Sequence, residues 1–219
     1  MTSITLAQRR TFAPREIKTH GLQIRNELLG DGRDFIYGYG GNDRLFGFGG
    51  NDDIYGGAGH DDLYGGAGDD YLSGGTGDDL LSGGTGDDDL YGGDGHDDLV
   101  GGAGQDFLTG GYGQDAFIFN AASDSPTGYY ERDVITDFTL DVDIIDVANI
   151  DARTDLTGNQ GFYWDDYESN PNNTDRGSLS YRYVDGNTVI SGNTDSDSTI
   201  EFQIELKGTC DLASYDFFL

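Results

Sequence analysis

GGAGHDDLY at 56–64, GGAGDDYLS at 65–73, GGTGDDLLS at 74–82, GGTGDDDLY at 83–91 and GGDGHDDLV at 92–100 are consecutive nine-residue units sharing one pattern. The same register extends forward through GGAGQDFLT (101–109) and GGYGQDAFI (110–118). It extends back through GFGGNDDIY (47–55), GYGGNDRLF (38–46) and LGDGRDFIY (29–37). Ten units therefore run over residues 29–118 without a slip. A fixed period of this length marks a stacked repeat, because one unit cannot bury its own apolar residue.

Each place in the unit has a physical part. The sixth is always Asp: Asp34, Asp43, Asp52, Asp61, Asp70, Asp79, Asp88, Asp97, Asp106 and Asp115. The eighth is always apolar, from Ile36 and Leu45 through Leu108 to Phe117, and the fourth is always Gly. The first and second are usually Gly, which permits positive φ and lets a sharp turn aim several carbonyls at one point. Carbonyls and carboxylates are hard oxygen ligands, suited to Ca²⁺ rather than to zinc or copper. The last three residues read as a very short strand with only the middle side chain pointing inward.

Two units make one coil turn of 18 residues, so ten units give five turns with two facing apolar rows. Stacked turns lie about 4.8 Å apart, which sets the Asp residues of each edge in a row. Two bare charges at that spacing repel by roughly 0.9 kcal/mol even in bulk water. Interleaved Ca²⁺ replaces repulsion with ligation, and the stack is expected to be largely unfolded without it.

Composition supports this. The chain has 219 residues with 37 Gly but only 3 Pro, which excludes collagen, and its 12% aromatic content argues against plain disorder. The formal net charge is −29, divided as +3 over residues 1–28, −17 over 29–118 and −15 over 119–219. Such a surface repels nucleic acid and anionic membrane and attracts cations. The single Cys210 excludes an internal disulfide and reads as a small buried hydrophobe. No apolar run is long enough to span a membrane, and Met1–Lys18 lacks the apolar core of a cleaved signal peptide.

The tandem GGxGxDxUx pattern resembles the RTX family of secreted bacterial proteins. The resemblance implies a parallel β-roll in which loops n and n+2 hold each ion between turns. The earlier loop contributes the carbonyls of its second and fourth residues, the later loop those of its first and third, and each gives its Asp. On this sequence the second-place ligands are Gly30, Gly57, Gly66, Gly75, Gly84 and Gly93. The fourth-place ligands are Gly32, Gly41, Gly50, Gly59, Gly68, Gly77, Gly86 and Gly95. First-place ligands are Gly47, Gly56, Gly65, Gly74, Gly83, Gly92, Gly101 and Gly110; third-place ligands are Gly49, Ala58, Ala67, Thr76, Thr85, Asp94, Ala103 and Tyr112. Ten loops allow at most eight such sites. Leu29 departs harmlessly from the pattern. Tyr39 and Phe48 replace the second Gly, and their bulk is expected to disfavour the positive φ that place requires.

Beyond residue 118 the period stops. SLSYRYVDGNTVISG predicts a hairpin around Asp185-Gly186-Asn187, and alternation of Ile200, Phe202, Ile204 and Leu206 with polar residues predicts a half-buried strand. Residues 119–219 are expected to close the last coil turn as a β cap, and 1–28 to cover the first or to dock a partner, with LAQRRTF and LQIRNELL as short helical turns. The C-terminal part is similar to that of serralysin-type metalloproteases, over Phe117–Pro126, Asp133–Phe138, Asp143–Val147 and Tyr215–Leu219. That resemblance implies an uncleaved type I secretion signal in Asp216-Phe217-Phe218-Leu219.

The fold class expected is all-β: a parallel β-roll, a two-sided right-handed coil of calcium-binding nonapeptides, capped by a C-terminal antiparallel region. Catalysis is not expected. The three His precede Gly21, Asp61 and Asp97, so HExxH is absent, and no Ser/His/Asp or Cys/His set suggests itself. The function expected is that of a secreted, non-catalytic calcium-binding protein exported by type I machinery. Aromatic ninth places, with Tyr37 over Tyr55 and Phe46 over Tyr64, raise an alternative: an extracellular polysaccharide-binding module like the repeat modules of alginate epimerases. A second alternative is the C-terminal part of a serralysin-like protease.

Overall fold

The computed structural model describes residues 15–18, 32–151, 161–164, 177–194 and 199–219. The helical turns expected of LAQRRTF and LQIRNELL, and Gly30, lie outside them. The repeats form a ladder of strands: β1 (Arg15–Lys18), β2 (Asp34–Gly40), β3 (Arg44–Gly49), β4 (Asp53–Ala58), β5 (Asp62–Ala67), β6 (Tyr71–Thr76), β7 (Leu80–Thr85), β8 (Asp89–Asp94), β9 (Asp98–Ala103), β10 (Phe107–Tyr112) and β11 (Ala116–Ile118). Even-numbered strands pair in one sheet and the odd strands from β3 onward in another. Every repeat pairing is parallel with an 18-residue register, such as Leu63 opposite Leu81. Two nonapeptides per turn is the expected coil. The backbone of β1 pairs in parallel with β2, Arg15 opposite Asp34 through Lys18 opposite Tyr37.

The strands are longer than the three residues expected. Strands β3 to β10 each continue from the seventh place of one unit through the third of the next, because the ladder resumes beyond the first-place Gly. The eighth-place residues Ile36, Leu45, Ile54, Leu63, Leu72, Leu81, Leu90, Leu99, Leu108 and Phe117 are fully buried between the two sheets. Burying each such side chain contributes about 1.5–3 kcal/mol. The unbroken apolar row therefore sets the register of the whole stack.

The coil does not stop at residue 118. Strand β12 (Val134–Ile135) stacks in parallel on β10, and β13 (Ile144–Asp146) on β11. Ile135 and Ile145, both fully buried, take over the eighth-place role. This sixth turn was hidden by added residues: Phe107 faces Val134 and Ala116 faces Ile144, offsets of 27 and 28 where the repeats have 18.

After β14 (Tyr163–Trp164) come β15 (Ser178–Val184) and β16 (Asn187–Asn193), the antiparallel hairpin expected. Its turn residues Asp185 and Gly186 both have positive φ, 53° and 85°, the backbone a two-residue hairpin favours. Strand β17 (Phe202–Leu206) joins β16 antiparallel and β12 parallel, while β18 (Phe217–Phe218), after a 3₁₀ turn at Ser214–Asp216, pairs in parallel with β13. The cap is thus partly a continuation of the parallel ladder.

One expectation needs correction. Strand β17 is buried on both faces, not one. Arg132 Nε donates to Glu205 Oε2 at 3.0 Å and Lys207 Nζ to Glu205 Oε1 at 2.8 Å. Gln203 Nε2 donates to Ser191 Oγ at 3.0 Å. A buried polar residue costs little when it is hydrogen-bonded, which is why the alternation misled.

Candidate metal centre

The sixth-place Asp residues stand in two rows, one on each edge of the roll, and the backbone knits each row. Along one edge the Asp43 amide donates to Asp61 Oδ1 at 2.7 Å, Asp61 to Asp79 at 2.7 Å, Asp79 to Asp97 at 2.9 Å and Asp97 to Asp115 at 3.0 Å. Along the other, Asp34 donates to Asp52 and Asp52 to Asp70 at 2.7 Å, then Asp70 to Asp88 and Asp88 to Asp106 at 2.8 Å. All ten side chains are buried.

From Asp52 to Asp115 each carboxylate thereby uses Oδ1 and leaves Oδ2. The Oδ2 atoms of Asp52, Asp61, Asp70, Asp79, Asp88, Asp97, Asp106 and Asp115 are buried and reached by no hydrogen bond. An unsatisfied buried polar atom costs about 1–3 kcal/mol, and more when charged. Burial raises the pKa of Asp52, Asp79 and Asp106 to about 7 and of Asp88 to about 8, with neighbouring Asp charges adding to the shift. A fold that repeats this defect on successive turns from Asp52 to Asp115 needs a cation between turns. The donor set fits calcium: hard oxygens, clustered negative charge and backbone carbonyls close by.

The glycines serve this cradle for two reasons. Gly57, at the second place, has φ 110°, and every repeat from Gly56 onward carries the same left-handed backbone there. Gly56, at the first place, is instead crowded: a Cβ there would clash with Asp61 Oδ2 and stand 2.7 Å from Gly74 O. Asp61 Oδ2 and the Gly74 carbonyl thus face one point from adjacent turns. The same pairing recurs for Asp70 with Gly83, Asp79 with Gly92, Asp88 with Gly101 and Asp97 with Gly110. These are the first-place carbonyls and Asp residues expected to meet.

Third-place carbonyls also lie between turns. Ala58 O accepts from the Gly41 amide at 2.7 Å, Thr76 O from Gly59 and Thr85 O from Gly68 at 2.8 Å. A carbonyl has a second lone pair, so this bond does not preclude ligation. Tyr39 and Phe48 adopt the positive φ of their place in spite of their bulk, 70° and 74°. Phe46 stacks on Phe48 and Tyr37 contacts Tyr39, with ring centroids 5.7 and 5.9 Å apart, which helps hold the strained backbone.

Sequence reasoning missed two carboxylates. Asp133 Oδ1 accepts from the Asp106 amide at 2.9 Å and Asp143 Oδ1 from Asp115 at 3.1 Å, so both rows continue into the sixth turn. The signal was present as Asp-x-Ile in Asp133–Ile135 and Asp143–Ile145, copying the sixth and eighth places.

His60 and His96 sit at exposed fifth-place tips. Their Nδ1 atoms accept from the Asp78 and Gln114 amides at 2.8 and 2.9 Å, and the Asp78 carboxylate accepts from the His96 amide. Among the described residues no three His, Cys, Asp or Glu side chains converge. A metal on the rows must therefore draw on carbonyls. Among the described residues no helix is long and apolar enough to cross a membrane.

The family model for the RTX calcium-binding nonapeptide repeat matches residues 29–63, 64–99 and 91–125. The chain is 30% identical to the AlgE6R3 subunit of the Azotobacter vinelandii mannuronan C5-epimerase, with a TM-score of 0.51 over 69% of this chain and 78% of that one. It is also similar to the AlgE6R2 subunit (26% identity, TM-score 0.39, 81% and 89% covered). The extracellular lipase LipA of Serratia marcescens is a looser match (17% identity, TM-score 0.39, 89% and 41% covered). No curated protein sequence matches.

Proposed function

We propose, from the premise that this chain belongs to the RTX calcium-binding nonapeptide repeat family, that it is a secreted, non-catalytic β-roll which folds on meeting extracellular calcium. The supporting observation is the row of buried Oδ2 atoms without donors. One unsatisfied atom is tolerable; the same orphan on successive turns, amid a net charge of −29, is not. Low cytosolic calcium keeps the chain extended for type I export, directed by Asp216-Phe217-Phe218-Leu219. Extracellular calcium, acting at affinities on the order of 10⁻⁴–10⁻³ M, then closes the stack. The ligands are the sixth-place Asp residues of the ten nonapeptides with the first- to fourth-place carbonyls of adjacent turns.

The test is a far-UV circular dichroism titration with CaCl₂ against MgCl₂. A cooperative gain of β signal with Ca²⁺ alone, reversed by chelator, is the expected outcome. A spectrum folded in chelator and unchanged by Ca²⁺ refutes the switch.

A second reading, a polysaccharide-binding module, is favoured by one observation. Tyr37, Tyr55, Tyr71 and Tyr91 form a ladder of rings with successive centroids 5.0, 5.5 and 5.4 Å apart. Such a platform suits sugar faces, and the AlgE6R3 subunit belongs to an enzyme named for a polysaccharide. Replacing Tyr37 and Tyr55 by Ala should abolish retention on a mannuronan affinity gel run with Ca²⁺; an unchanged mobility removes this reading.

A further inference from the structure

Where the sixth turn stacks on the fifth, a carboxylate from a nonapeptide, Asp106, meets one from outside the repeats, Asp133. Asp106 closes the last repeat on its edge, and Asp133 lies in the irregular loop before β12. Both side chains are 0% exposed. The Asp106 amide donates to Asp133 Oδ1, while Oδ2 of each residue is buried and reached by no hydrogen bond. Asp133 is held firmly: its own amide donates to Ser125 Oγ at 2.7 Å, and Ser125 Oγ donates to Gln203 O at 2.6 Å. The charges pressing hardest on it are further carboxylates, Asp106 first, then Asp124 and Asp88. The nearby cation, Arg132, is committed to Glu205.

We infer that Asp106 and Asp133 hold a further calcium ion, outside the nonapeptide array, which joins the roll to its C-terminal cap. The inference rests on the calcium reading above but concerns a site that reading does not include. The earlier half of the cradle is in place, since Gly102 and Gly104 keep the left-handed φ of their places, 113° and 141°. The later half differs. Gly128 O already accepts from the Glu131 and Arg132 amides, and no carbonyl of the following turn approaches Gly101 as one does in the earlier units. Water completes the shell, as calcium's variable coordination of roughly six to eight oxygens allows. Fewer protein ligands make this the weakest-binding position and the last to fill.

Asp143 provides the contrast. It continues the opposite edge, but its Oδ2 accepts from the Thr139 amide at 2.8 Å. Its carboxylate is satisfied without a metal.

The experiment is native mass spectrometry of the full chain in volatile buffer with saturating calcium acetate, comparing wild type, Asp133→Asn and Asp143→Asn. Asparagine keeps an oxygen able to accept from the Asp106 amide. One ion fewer in Asp133→Asn, with Asp143→Asn matching wild type, is the expected result. Wild-type stoichiometry in Asp133→Asn overturns the inference and leaves the calcium reading standing, whereas no calcium on the wild type overturns both. Should Asp133→Asn fail to fold, anomalous scattering from wild-type crystals grown with calcium decides. A peak between Asp106 and Asp133 supports the site; its absence there, with peaks between the repeats, sinks it.

Discussion

At the residue scale, one atom controls the behaviour of the roll. The Oδ2 atoms of the eight sixth-place residues from Asp52 to Asp115 have no donor, and burial lifts Asp70, Asp97 and Asp115 to about 6, Asp52, Asp79 and Asp106 to about 7, and Asp88 to about 8, from the ordinary value of 3.8. The unfolded chain releases these protons first. Stability of the metal-free fold is therefore fullest below the ordinary carboxylate range and is lost as pH rises through about 6 to 8. In chelator, the far-UV β signal is expected to grow on acidification from about pH 8 to about pH 5. Calcium shows the opposite dependence, because protons compete for the same oxygens. The calcium midpoint of the dichroism titration should rise as pH falls over this range; a midpoint independent of pH would remove these carboxylates from the binding step.

At the element scale, each strand supplies one core residue, and the row holds only if every strand keeps its own. Leu81 is 0% exposed and stacks on Leu63 and Leu99. Leu81→Ala should cost about 2–5 kcal/mol, read as a lowered melting temperature by calorimetry in calcium. Tyr112→Ser, at a side chain 81% exposed, should change stability by less than about 0.5 kcal/mol. The five repeat turns, the two apolar rows and the Asp rows were legible because identical spacing converts directly into identical geometry. The sixth turn was not. Residues 119–127, nine in number, intervene before Gly128, so Asp133 and Ile135 keep the nine-residue phase but miss the 18-residue register, and their backbone rejoins the ladder one unit late. The Arg132–Glu205 pair, 73 residues apart, could not be read from local pattern at all. Tyr71 was missed in the aromatic ladder because it stands at the seventh place, two residues from the ninth and on the same outer face.

At the scale of the whole molecule, the two sheets share one apolar core that runs from Ile36 through the repeats into Ile135, Ile145, Leu179 and Phe217. The cap is built on the last turn of the coil, and buried Glu205, bridged to Arg132 and Lys207, ties β17 to the loop before β12. Breaking one member of such a buried pair leaves an uncompensated charge. Removing either partner of the Arg132–Glu205 pair should therefore cost about 3–5 kcal/mol at the junction of roll and cap. The 18-residue register has one further consequence. Every repeat turn touches only the turn before and the turn after, so tension applied along the stack is borne in series. A pulled chain pays out turn by turn, each turn releasing about 60 Å of extended backbone, and on the proposed calcium reading the ions between turns are latches that set the load at which each length is let go.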